Sequence, residues 1–140
     1  MKKALINITE SKVRFSEVDS MNVLWHGNYA KFIEDGREGF GHEFGLGYLD
    51  VFSFGYMTPI VKLDIDFKKM TQYGETLIIE TEFVNSDAAK IIFKYILRRK
   101  SDMQIVAKAK SIQVFINKEG DLQLINPDFF ISWKKKNGLI

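Results

Sequence analysis

The sequence predicts an α+β fold in which an antiparallel sheet of about five strands wraps around one long helix. Three observations carry that expectation. A single long stretch, opening near Asn28, has apolar residues at helical spacing: Tyr29, Phe32, Ile33, Gly36 and Phe40. Four later runs alternate apolar and polar residues, as half-buried strands do. The connections between those runs are short, and a parallel crossover needs a dozen or more residues, so antiparallel neighbours are expected.

Taken in order, the first strand is expected within Ala4 to Val18, where Val13 and Phe15 alternate with Lys12, Arg14 and Ser16. A polar loop, Asp19 to Asn22, follows. Asn28 is expected to cap the helix, because its side chain can accept from an early unpaired amide. Gly36 falls on the apolar face, where glycine costs about 1 kcal/mol relative to alanine. A close approach to another backbone would compensate. Gly45 and Gly47 are expected to stop the helix, and a loop rich in glycine and aromatics runs from Gly45 to Tyr56. The four alternating runs are centred on Val61 to Phe67, Leu77 to Phe83, Ile91 to Leu97 and Ala107 to Phe115. Tyr73-Gly74, Ser86-Asp87, Ser101-Asp102 and Lys118 to Asp121 read as turns. With one long helix available, the economical solution is a sheet curved around it, and the small Ala107 and Ala109 leave room for it on the inner face. The basic tail from Asp128 is expected to end in a short helix.

Composition narrows the possible functions. One domain over residues 1–140 can bury a core without disulfides or metals. Hydrophobic residues make up 46% and charged residues 27%, close to soluble globular averages. Twenty basic residues against 18 acidic ones leave a net charge of +2, which does not suggest a nucleic-acid partner. The chain has no cysteine, so a thiol nucleophile and thiolate metal sites are excluded. Met1-Lys2-Lys3 supplies a charged start, but Asn7 and Glu10 interrupt the apolar stretch that an export signal needs. No run approaches the ~20 apolar residues of a membrane span. A cytoplasmic location is expected.

The segment between the first strand and the helix carries the chemistry. Asp19 lies in the loop, seven residues before His26, and His26 and Gly27 occupy the helix entrance. The first amides of a helix have no internal acceptor and carry the positive end of its dipole. A carbonyl oxygen placed there would be polarised, and the charge growing on it during attack would be stabilised by ~3–4 kcal/mol per good donor. Gly27, without a Cβ, lets a ligand approach the backbone. Asp19 could serve as nucleophile or as base for water, and equally as a plain turn residue. Glu17 reads more simply as a solvated strand end than as a group tuning Asp19. Lys68-Lys69 and Arg98-Arg99-Lys100 could meet phosphates or be solvated strand ends. Phe40, Phe44, Phe52, Phe54 and Tyr56 read mostly as core or subunit contacts, with the lining of a ligand pocket as the rival.

The run EVDSMNVLWHGNYAKFIEDGR resembles the signature of hotdog-fold acyl-CoA thioesterases of the 4-hydroxybenzoyl-CoA type, and is similar to that of acyl-carrier-protein thioesterases. Asp19, Asn22, Trp25, His26, Asn28 and Tyr29 occupy its places. The resemblance implies hydrolysis of an acyl-CoA or acyl carrier protein thioester, with Asp19 as the catalytic carboxylate and His26 acting mainly through its amide. Trp25, Gly27 and Asn28 are the implied substrate-binding residues. No cofactor or metal is implied, and a homodimer or homotetramer with active sites at the subunit interface is. Ser20-Met21-Asn22-Val23 departs from the smaller residues common in that family, which leaves the acyl group open. A hotdog dehydratase and a non-catalytic acyl-CoA binder are the rival readings.

Overall fold

A computed structural model describes residues 4–140; the charged start Met1-Lys2-Lys3 lies outside them. The main elements are β1 (Ile6–Lys12), α1 (Tyr29–Phe44), α2 (Tyr48–Ser53), β2 (Tyr56–Met57), β3 (Ile60–Phe67), β4 (Thr76–Val84), β5 (Lys90–Arg99), β6 (Ile105–Val114), β7 (Ile116–Asn117) and α3 (Asp128–Lys136). Five strands form an antiparallel sheet in the order β1-β4-β5-β6-β3, and β2 pairs with β7. The helix α1 packs on β1 and β4. This is the expected α+β sheet around one long helix.

The inner face of the sheet follows from the alternation. Leu77, Ile79, Thr81 and Phe83 of β4 are buried, as are Ile91, Phe93, Tyr95 and Leu97 of β5. From α1, Phe32, Ile33 and Phe40 complete the core, each at most 1% exposed. Ala107 and Ala109 are buried on β6. Inside this apolar setting the Tyr95 hydroxyl and Ser111 Oγ pair at 2.7 Å. Gly36 does sit at a close approach, but against side chains: an added Cβ would lie 2.5 Å from both Ile79 Cγ2 and Thr81 Oγ1 of β4.

Several expectations need correction. The first strand ends at Lys12, and a 3-10 turn occupies Phe15–Glu17. Val13 is buried as its alternation implied, yet Phe15 is 76% exposed. Val13 still bonds Glu75 O in register, and the ladder ends at Arg14, whose amide bonds the Glu17 carboxylate instead. Gly45 terminates α1 with a left-handed φ of 72°, whereas Gly47 opens α2, which lies inside the supposed loop. Sequence neighbours β3 and β4 are not paired: β3 is at one edge of the sheet, and segment 68–75 crosses the sheet's end to reach β4. In the tail, α3 buries Phe130 and Trp133, and Trp133 Nε1 donates to Phe44 O at 2.7 Å, satisfying a carbonyl at the end of α1.

Candidate active site

A narrow hairpin holds Asp19. Val18 bridges Leu24, the Asp19 amide bonds Val23 O at 2.8 Å, and the Asn22 amide bonds Asp19 O at 3.0 Å. Asn22 takes the left-handed φ of 62°, a conformation that asparagine tolerates better than most residues. The half-buried Asp19 side chain is fixed through one oxygen. Its Oδ1 accepts from the Met21 amide at 2.9 Å and the Val23 amide at 3.2 Å. Among the described residues Oδ2 has no hydrogen-bond partner, so one oxygen orients the carboxylate and the other is available.

The crossing segment 68–75 supports the hairpin from outside. The Leu24 amide donates to Thr71 O at 2.7 Å, and Val23 bridges Gln72. The chain then enters α1 through a 3-10 turn, His26–Asn28. Asn28 donates to Trp25 O and Tyr29 to His26 O, so the amides of His26 and Gly27 have no acceptor among the described residues. Two donors thus stand unpaired at the positive end of the helix.

Around them the side chains divide. The His26 ring is exposed, 5.0 Å from the Trp25 ring and 6.3 Å from Phe67. Trp25, half exposed, lies over Gly27, where an added Cβ would come within 2.2–2.7 Å of the indole. A side chain at position 27 would displace that ring. Asn28 does not cap the helix; its backbone is already helical, and its Nδ2 donates to Glu17 O at 2.8 Å. Glu17 is not a solvated strand end but is 3% exposed, salt-bridged to Lys31 at 3.0 Å and Arg14 at 3.3 Å. Burial pushes its pKa up, but the Arg14 amide, the Lys31 ammonium and the Arg14 guanidinium outweigh that and hold it below the ordinary glutamate value.

Other residues fall elsewhere. Arg99 pairs with Asp102 at 2.8 Å and bonds Met70 O, Arg98 faces Glu80, Lys100 pairs with Glu10, and Lys69 bonds Gln104. Most of the basic groups considered for phosphates are thus engaged within the chain. Phe40 is core, while Phe54 and Tyr56 pack on Phe129. A groove of about 920 Å³ runs between α1, α2 and the start of β3, lined by Arg37, Tyr48, Ile60, Phe93 and Gln113 among others, and no residue of the Asp19 hairpin reaches it.

A five-stranded antiparallel sheet wrapped on one long helix is the hotdog arrangement, and the chain is a thioester hydrolase of that fold. The chain belongs to the thioesterase-like superfamily, which matches residues 13–133. It is 28% identical over 130 residues to the "Putative acyl-CoA thioesterase YneP" of Bacillus subtilis (strain 168), covering 90% of this chain and 94% of that protein. It is 25% identical over 108 residues to the acyl-acyl carrier protein thioesterase ATL3, chloroplastic, of Arabidopsis thaliana, covering 77% of this chain and 57% of that protein. The DHNA-CoA thioesterase structure from Staphylococcus aureus superposes with a TM-score of 0.83 at 24% identity, covering 96% of this chain and 92% of that one. Among the described residues no helix is long and apolar enough to cross a membrane.

Proposed function

We propose that the protein hydrolyses an acyl-CoA: acyl thioester plus water gives carboxylic acid plus thiol. Asp19 acts as base for the attacking water or as nucleophile, and the amides of His26 and Gly27 hold the oxygen of the thioester carbonyl as it becomes negative. The observation that carries this reading is the pairing of one free carboxylate oxygen on Asp19 with two unpaired amides at the entrance of α1. The His26 contribution is through its backbone. Trp25 and Gly27 form the surface over which the substrate's carbonyl approaches. Asn28, bonded to Glu17 O, serves the substrate by shaping that surface. The relative in Bacillus subtilis supports coenzyme A as the thiol, and the plant relative makes an acyl carrier protein the alternative.

We read residues 1–140 as one hotdog domain acting in the cytoplasm as a homodimer. Support for the dimer comes from β3, an edge strand whose Val61 is 59% exposed and Phe67 52% exposed. Pairing β3 with its copy about a two-fold axis would set the Phe67 end, beside His26 and Tyr29, against the partner's Ile60 end, where the groove lies. Native mass should then be twice the chain mass; a monomeric mass removes the dimer reading.

The test of the chemistry is thiol release from a panel of acyl-CoA and acyl carrier protein substrates. Asp19→Asn should lower kcat by about 100-fold or more. Hydrolysis surviving that change at the native rate would overturn the role of Asp19.

A further inference from the structure

We propose that Glu17 is a positioning residue for the reaction, clamping both ends of the segment that carries Asp19 and the unpaired amides. The inference rests on the reading of Asp19, His26 and Gly27 given above. Glu17 precedes Asp19 by two residues, and its side chain and carbonyl reach in different directions. The carboxylate accepts from the Arg14 amide at 2.7 Å and pairs with Lys31 Nζ in the first turn of α1 at 3.0 Å. The carbonyl accepts from the Trp25 amide at 3.0 Å and from Asn28 Nδ2 at 2.8 Å. One residue therefore joins the end of the first strand, the root of the hairpin and the helix entrance.

The burial makes this more than a surface ion pair. The side chains of Arg14 and Lys31 are 67% and 51% exposed, so their pairing with Glu17 alone would count for little. The Glu17 side chain is only 4% exposed, and a buried carboxylate persists only with its oxygens satisfied. Its bond to the Arg14 amide fixes the turn Phe15–Glu17, and the turn fixes where the Glu17 carbonyl points. That carbonyl in turn holds Trp25, the residue before the first free amide, and Asn28, the residue after the second. Glu17 does not touch the reacting atoms. It sets the separation between the Asp19 carboxylate and the amides across which the carbonyl must fit.

The experiment measures steady-state thiol release by Glu17→Ala and Glu17→Gln beside native protein and Asp19→Asn. Misplacement of a reacting group by an ångström costs up to about 100-fold, so Glu17→Ala should lose about tenfold or more in kcat with KM within about twofold. Glutamine keeps an oxygen for the Arg14 amide, so Glu17→Gln should recover kcat to within about threefold of native. A purely stabilising role would lower the unfolding midpoint and leave kcat of the folded protein unchanged. Native kcat in Glu17→Ala, equal losses in the two variants, or a change confined to KM would each overturn the proposal. Should Glu17→Ala not fold, Asn28→Ala cuts the same clamp from the helix side and should show the same loss in kcat; a native kcat there overturns it as well. An active Asp19→Asn would remove the underlying reading, whereas an inactive Asp19→Asn beside a native Glu17→Ala would remove only this inference.

Discussion

Tyr95 shows what a single buried polar group does in this fold. It is 1% exposed, and its one hydroxyl partner is Ser111 at 2.7 Å. Burial pushes its phenol from an ordinary 10.0 up to about 12, against the smaller opposing effect of the Ser111 bond. The folded state thus favours the protonated phenol. That preference contributes stability fully below the unfolded value and loses it as pH rises through the folded one. Stability should therefore fall between about pH 10 and pH 12, a window to which this residue contributes together with Tyr29, whose phenol burial also raises. Tyr95→Phe removes the titrating group and leaves Ser111 without a partner. It should cost about 1–2 kcal/mol at neutral pH yet flatten the alkaline limb, as read by denaturant unfolding across that range.

The elements were legible where one periodicity covered a whole run. The strands β4 and β5 alternate along their length and β6 does so from Ala107 on, and each buries the face that its pattern announced. The end of β1 was not legible, because Phe15 continues the alternation after the hydrogen-bond ladder has stopped. What stops it is the Glu17 carboxylate on the Arg14 amide, a bond that no pattern of hydrophobicity encodes. The Asp19 hairpin and the helix entrance could be placed from sequence, since a polar loop followed by a change of period marks them both. Asn28 could not be assigned correctly: its residue type suits a cap, and only the folded chain shows its amide turned toward Glu17 O. The burial of Glu17 was hidden for the same reason, as its partners Lys31, Trp25 and Asn28 all lie beyond the loop.

For the molecule as a whole, the crossing segment matters most. Short connections suggested that β3 and β4 would be neighbours, but the sheet order puts β3 at the far edge, so 68–75 must cross the sheet's end. That detour brings Thr71 to Leu24 and seats the Asp19 hairpin on the body of the protein. The groove beyond the start of β3 remains outside the reach of this hairpin within one chain, which is why the edge of β3 enters the functional reading.

The bond between the Leu24 amide and Thr71 O also has a bearing on the order of assembly. β4, β5 and β6 are consecutive in the chain and pair as successive hairpins, so little loop closure is needed to form them. The contacts that seat the Asp19 hairpin on segment 68–75 join parts of the chain far apart in sequence and gain nothing until the sheet exists. Native-state amide exchange should accordingly find Leu24 opening at a lower free energy than the inner amides of β5, and equal protection would show one cooperative unit. The chemistry would then reside in the last part of the chain to become ordered and the first to be released.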